Sequence, residues 1–352
     1  MPAPARPRRA VRRLTVVLVL AGLALAACQP DDGAPGPDDA ADERAEELTV
    51  YSGRSAELVG PVLEQFGEEA GVEVAVRYGD TAEMAATILE EGEASPADVF
   101  FAQDAGALGA LRAEGMLAEL PDELVGGVDE RFRAGDGTWV GVTGRARVLT
   151  VNTDRVADDE VPDGVLELTG PEWAGRVGWA PTNGSFQAFV TAMRLQLGDE
   201  ATLEWLEGML ANDVREYPNN TSQVEAVGAG EIDVGIVNHY YLYRFLAEDP
   251  DFPAVNVTPA GGDPGAMVNV AGVGVLDGSD HGELARELVA WLLDEPAQRT
   301  FAEETVEYPL AGDVPADDRL TPLERIETPP IDLSGLDDLG GTLELLREAG
   351  AL

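Results

Sequence analysis

Glu47-Leu48-Thr49-Val50-Tyr51-Ser52-Gly53 opens the stretch 47–101 on which the fold turns. It reads as a strand that ends in a Gly turn. A helix follows, with Leu58, Val62, Leu63 and Phe66 at helical spacing, and then Val72 to Tyr78 alternates as a second strand. Gly79-Asp80-Thr81 caps another helix that carries Met84, Ile88 and Leu89,. Ala97-Asp98-Val99-Phe100-Phe101 has the character of a third, buried strand. A β-α-β-α-β rhythm of this kind builds a parallel sheet with right-handed crossovers.

Downstream, Trp139 to Asn152 is mostly apolar with Gly144-Arg145 in its middle, and reads as a passage between two lobes. A second α/β body starts near Thr153. Its strand Arg176 to Ala180 leads through Pro181-Thr182-Asn183-Gly184-Ser185 into a helix with Phe186, Phe189, Val190, Met193 and Leu197 on one face. Asn219-Asn220-Thr221-Ser222 opens the next helix. Ile232 to Val237 is a strand, Val268 to Leu276 a return strand into the first lobe, and Leu284 to Leu293 and Leu343 to Leu346 are late helices. Ligands of open α/β sheets bind outside the carboxyl ends of the strands. Those ends are Tyr51 to Ser55, Tyr78 to Asp80, Gln103-Asp104, Thr182 to Ser185, Asn219-Asn220 and Asn238 to Tyr241. Two lobes facing across such loops make a closing clamp.

The amino terminus reads as an export signal. Arg6, Arg8, Arg9, Arg12 and Arg13 precede the apolar run Leu14 to Ala27, too short to span a bilayer comfortably,. The run ends Leu25-Ala26-Ala27-Cys28, which has the form of a bacterial lipobox, and Cys28 is the only cysteine of the chain. Covalent lipidation is its best use, and a lone thiol excludes an internal disulfide framework. The paired arginines hint at twin-arginine export. Gln29 to Glu47, rich in Asp, Glu, Pro, Gly and Ala, holds too little apolar surface to fold and reads as a tether,. A soluble body anchored by Cys28 to a membrane, outside the cytoplasm, is expected.

The 352-residue chain carries a net charge of −43. Residues 1–27 hold five Arg and no acid, which leaves 66 acids against 18 Arg in the remainder, a charge of −48. Lys is absent throughout. A polyanionic surface argues against nucleic acid or acidic lipid as partner and suits a saline exterior. No Gly-x-Ser-x-Gly elbow, His-Glu-x-x-His or Walker loop points to an enzyme,.

Tyr240 and Tyr241 are the chemically richest pair. A phenolate is a hard anionic oxygen donor, and two side by side suit a small, highly charged cation, with Fe³⁺ the obvious candidate. Two aromatics packed on a core are the alternative. Ionising a phenol of pKa about 10 at neutral pH costs roughly 4 kcal/mol, which coordination to a trivalent ion offsets.

Eight stretches, in order, resemble the periplasmic ferric-ion-binding proteins, the solute receptors of bacterial Fe³⁺ ABC importers. They are Tyr51-Ser52-Gly53-Arg54, Ser95-Pro96-Ala97-Asp98-Val99-Phe100, Gly144-Arg145-Ala146-Arg147-Val148 and Gly178-Trp179-Ala180-Pro181-Thr182-Asn183-Gly184-Ser185-Phe186. Gly230-Glu231-Ile232-Asp233, Asn238-His239-Tyr240-Tyr241, Asp263-Pro264-Gly265-Ala266 and Glu307-Tyr308-Pro309-Leu310 complete the series. The resemblance implies an α/β, two-lobe periplasmic-binding-protein clamp of type II, transferrin-like, with a parallel-rich mixed sheet in each lobe. We expect an N-terminal lobe at 48–145 and 271–320 and a C-terminal lobe at 146–270 and 321–352, after the signal at 1–27 and the lipidated tether at 28–47. It implies Fe³⁺ as cargo, carbonate or phosphate as synergistic anion, an ABC transporter permease as partner, a monomer and no catalysis.

Carried over residue by residue, the metal ligands are Tyr240 and Tyr241. The anion pocket is Thr182, Asn183, Gly184, Ser185 and Asn220, with Arg145 as its cation. A helix N-terminus at Gly184-Ser185 offers free N–H groups and a positive dipole end to an anion, and arginine grips one bidentately. Many relatives add a His after the first strand and a Glu after the third; Ser55 and Gln103 stand there in this chain. Tyr78, at the end of the second strand, is the candidate third phenolate. Tyr51 is expected buried, Tyr243 and Tyr308 structural, His239 a supporting hydrogen-bonding residue and His281 exposed. Arg54 is open between gating or anion binding and a surface salt bridge. A binding protein for an oxyanion or an organic phosphate, such as a phosphonate, is the alternative function, against which the paired tyrosines speak.

Overall fold

The first strand, β1 (Glu47–Ser52), leads into α1 (Ala56–Ala70), whose Val59, Val62, Leu63 and Phe66 form the buried face. Gly71, at φ 72°, ends that helix in the left-handed conformation a glycine adopts without strain,. β2 (Glu73–Tyr78) and α2 (Thr81–Glu91) follow, and the Asp80 side chain accepts from the Ala82 and Glu83 N–H groups as the expected cap. β3 (Val99–Ala102) is buried on both faces, as a central parallel strand must be,. The structure, a computed structural model, describes residues 47–352; the expected export signal, Cys28 and the tether up to Glu46 lie outside the described residues.

The chain continues through α3 (Ala105–Ala113), α4 (Asp122–Val125), β4 (Val140–Asn152), β5 (Val177–Trp179), α5 (Gly184–Leu197), α6 (Asp199–Ala211) and β6 (Arg215–Glu216). Then come α7 (Asn220–Gly228), β7 (Val234–Asn238), α8 (Tyr240–Glu248), β8 (Ala254–Val257) and β9 (Val268–Val275). It closes with α9 (Gly282–Leu292), α10 (Glu295–Thr305), β10 (Tyr308–Pro309) and α11 (Leu339–Ala349).

The strands run β2-β1-β3-β9-β4-β7-β5-β6, with β8 and β10 also on β4. β1, β2 and β3 are parallel, while β9 returns antiparallel between β3 and β4. On the other side β7, β5 and β6 are parallel, and β4 meets β7 and β8 antiparallel. All residues of β4 are buried. Its pairing changes from β9 at Ala146 to β7 at Arg147, so one strand serves both lobes, as the apolar run 139–152 predicts.

The turn Leu333–Asp337 packs mainly on α3 and also touches α5, so it lies against both sides of the expected boundary. Gly106 and Gly109 make the approach possible, since a methyl at either would overlap the Leu336 or Ser334 carbonyl oxygen. Trp139 Nε1 donates to Ser334 Oγ at 3.1 Å. α11 packs on α5 and α6 of the second lobe. The tail therefore crosses from one lobe to the other.

Candidate metal and anion site

β7 runs directly into α8, which puts Tyr240 and Tyr241 at the first turn of a helix that starts at the carboxyl end of a central strand. Their ring centroids are 4.4 Å apart with planes inclined by 31°. Both rings line a cleft of about 560 Å³. Its other walls come from the strand ends of both lobes: Gly53, Thr81 and Gln103 on one side, Thr182, Asn183 and Ser185 on the other. Cleft position thus follows the carboxyl-end rule.

Three arginines surround the phenols. Arg147 is buried and donates to the Ile236 carbonyl at 3.4 Å, to Asn220 Oδ1 at 3.5 Å and to the Ser185 carbonyl. Burial pulls its guanidinium down to about 10, against the opposing pull of Tyr240 and Tyr241. Arg145 is 3% exposed and donates to the Val270 carbonyl at 3.1 Å and to the Gln103 carbonyl, but its Nε has no partner. Arg244 lies outside the rings, 5.5 Å from the Tyr241 centroid and 5.9 Å from that of Tyr240. Burial pushes the Tyr241 phenol above its ordinary value and Tyr240 adds to the rise, while Arg244 and Arg145 pull it back in part. An empty site therefore holds Tyr241 as a neutral phenol at physiological pH.

The loop expected to hold an anion is built on α5. Its cap, Asn183, accepts from the Ser185 N–H at 3.1 Å and from Ser185 Oγ at 2.6 Å. Behind it Trp179, Phe186, Phe189 and Trp205 pack edge to face at 5.5 to 6.2 Å, which fixes the start of the helix,. Thr182, Asn183, Gly184 and Ser185 all line the cleft. Asn220 does not. It is buried beneath the loop, donating to Asn183 Oδ1 and Ser185 Oγ at 3.2 Å each and accepting the Asn238 N–H at 3.2 Å. It braces the loop against β7.

Residues 94–332 match the family described as bacterial extracellular solute-binding protein. The "Fe(3+)-binding periplasmic protein" of Serratia marcescens is 30% identical over 309 residues, covering 87% of this chain and 90% of the relative. The chain belongs to the periplasmic ferric-ion-binding family of extracellular solute-binding proteins. Iron-bound HitA from Pseudomonas aeruginosa superposes with a TM-score of 0.79 at 33% identity, covering 87% of this chain and 99% of that one. A Trichodesmium IdiA/FutA structure in complex with iron and citrate superposes with a TM-score of 0.77 at 25% identity, covering 86% and 99%. The fold of the ferric-binding family is thus the fold of this chain.

The first lobe of this family member departs from expectation. Tyr78 is 38% exposed and is not brought to the cleft. β2 is the edge strand and its side chains alternate,. Arg77 goes to the face of Tyr51 and Glu91, so Tyr78 goes to the opposite face, its hydroxyl over Gly60 of α1. Ser55 is exposed at the start of α1 and also stays out of the cleft, whereas Gln103 lines it. Two carboxylates at first-lobe strand ends, Asp80 and Asp104, face the cleft, and both cap helices. Asp80 Oδ1 takes the Ala82 and Glu83 N–H groups, and Asp104 Oδ1 takes that of Ala107 at 3.2 Å. Burial pushes the Asp104 carboxyl up.

Arg54 is neither gate nor surface bridge. It is buried and forms a two-point pair with Glu307, both contacts 3.1 Å. His281, expected to be exposed, is only part-exposed, and its Nδ1 lies 3.3 Å from Asp98 Oδ1. Tyr51 is buried with its hydroxyl on Glu91, and Tyr243 and Tyr308 donate to the carbonyls of Arg319 and Thr321. Sequence reasoning placed Asn238 at a ligand-binding strand end, and the structure puts it in the cleft; it missed Arg147, Gln187 and Asn269. Arg147 was findable: it stands two residues beyond Arg145 on one strand and so on the same face. Among the described residues no three His, Cys, Asp or Glu side chains cluster as a metal site, which leaves the phenols as the distinctive donors.

Proposed function

We infer that this protein captures Fe³⁺ outside the cytoplasm, holds it with a synergistic anion between its lobes and delivers it to an ABC transporter. The observation that carries the reading is the Tyr240–Tyr241 pair, ring beside ring in a cleft shared by both lobes and flanked by Arg145 and Arg147. Fe³⁺ displaces the phenolic protons, and the two phenolates supply hard anionic oxygens. With Tyr78 turned away, the remaining positions fall to the anion, carbonate or phosphate. Arg145 meets it through its unpartnered Nε, and Thr182, Asn183, Gly184 and Ser185 hold its far side,. A lipid on Cys28 keeps the monomeric body beside its permease. The relatives are binding proteins, and the chain acts as one rather than as an enzyme. An oxyanion receptor would use the same loop but has no need of two phenols.

The test is a visible spectrum. Ferric citrate with bicarbonate should turn the purified protein orange to red through phenolate-to-Fe³⁺ charge transfer, and Tyr240→Phe and Tyr241→Phe should each lose most of the colour and affinity. If both variants keep full colour and affinity, the reading fails.

A further inference from the structure

His239 stands immediately before the two tyrosines, is 2% exposed and makes contacts that a helix-start residue does not need. Its Nδ1 accepts the Ala146 N–H at 3.1 Å, while the backbone N–H of His239 donates to the Ala146 carbonyl at 3.0 Å. Because Ala146 N–H is a donor, the neutral ring carries its proton on Nε2. That Nε2 lies 2.7 Å from the Val306 carbonyl. Burial holds the ring neutral by lowering its pKa. The backbone carbonyl of His239 takes the Asn256 side chain at 2.7 Å. The ring itself packs between Tyr240, at 5.6 Å, and Tyr308, at 5.0 Å.

These partners belong to different parts of the clamp. Ala146 is where β4 changes its partner from β9 to β7. Asn256 is on β8 of the second lobe. Val306 precedes β10 of the first lobe and has φ 57°, a left-handed conformation that costs a non-glycine residue free energy unless its surroundings hold it,. Its neighbour Glu307 is held by Arg54 and Thr143. Both ring nitrogens are thus committed to backbone, which leaves His239 no lone pair for a metal.

We propose that His239 is a positioning residue, a strut that ties the tyrosine-bearing start of α8 to the first lobe through the Val306 carbonyl and so sets the angle at which Tyr240 and Tyr241 meet the cargo. This rests on the iron reading above. Groups that orient metal ligands from behind typically change affinity about 10- to 100-fold when removed, and that is the effect expected here, with both phenols still present.

Three variants separate the contacts. His239→Phe keeps ring packing and loses both hydrogen bonds. His239→Asn places an amide oxygen near the Nδ1 position, within reach of Ala146 alone. His239→Gln places an amide N–H near the Nε2 position, within reach of Val306. The readouts are iron affinity by chelator competition, the position and width of the charge-transfer band, and the melting temperature. The strut predicts that His239→Phe and His239→Asn bind about 10- to 100-fold more weakly with a shifted or broadened band, and that His239→Gln stays within a few-fold of wild type. Should the variants melt earlier yet bind with wild-type affinity and an unaltered band, His239 is a packing residue and the proposal is overturned. It is equally overturned if His239→Gln is as impaired as His239→Asn, because the cross-lobe bond would then be irrelevant. If His239→Phe does not fold, the Asn and Gln pair still decides. If Tyr240→Phe and Tyr241→Phe, each with His239 intact, both keep full colour and affinity, the iron reading itself is overturned, an outcome distinct from these.

Discussion

Replacing Tyr241 by Phe should change the pH dependence of iron binding by one proton. Burial and the neighbouring Tyr240 hold the Tyr241 phenol above the ordinary value, which is about 10,. In the empty protein it is therefore protonated throughout the range from about pH 5.5 to about pH 8.5. As a ligand it is ionised, so loading releases one proton from this residue at every pH in that window. The sign follows: lower pH opposes binding. Ionisation opposes loading by at least about 4 kcal/mol at pH 7, a cost the metal–oxygen bond must exceed. The ratio of wild-type to Tyr241→Phe affinity should then rise about tenfold per pH unit, or roughly 1000-fold across three units. Taking the ratio cancels the pH dependence of the competing chelator, the anion and every other group the two proteins share. Competition titrations against a calibrated ferric chelator at four pH values supply the numbers. A ratio that stays flat with pH would refute the reasoning, since Tyr241 would then release no proton on loading.

Arg145→Ala should weaken iron binding about 10- to 100-fold and blunt its stimulation by bicarbonate or phosphate, because the charge-assisted anchor of the anion is gone; equal binding by wild type in anion-free buffer would count against an anion-rich site. Tyr78→Phe should leave colour and affinity unchanged, its hydroxyl lying over α1; loss of iron in that variant alone would restore a three-tyrosine site. Glu307→Gln should cost about 3–5 kcal/mol of stability in denaturant unfolding by stranding the buried Arg54 charge,. Burial pushes the Glu307 carboxyl up, but Arg54, Arg145 and Thr143 outweigh it, so its folded value is depressed. The stability it contributes is present above the unfolded carboxylate value and should be lost as acid takes the pH below about 4.

What the sequence settled by itself is local. The β-α-β-α-β opening was legible because strand and helix periods are written in adjacent residues, and helix starts at Asp80, Asn183 and Asn219 were legible because a cap reaches only two or three residues along the chain,. The tyrosine pair was legible because its chemistry lies in two neighbouring side chains. α10 was missed, as few of its residues are apolar and its buried face includes Gln298. Only the tertiary structure decided the rest. Tyr78 turns away from the cleft because an edge strand must choose which side chain faces which helix, and the alternation of β2 gives Arg77 the other face. The two arginines Arg54 and Arg147 part company through distant partners: Glu307 pairs with the first in the interior, whereas the second stays beside the phenols. Asn220 sits under the loop it was expected to line, and the tail 333–337 crosses to α3 through the space two glycines leave. His239 gains its partners from β4 and from the turn before β10, about 90 and 70 residues away along the chain. Such choices depend on which surfaces meet when the lobes assemble, and no period or cap in the local sequence encodes that.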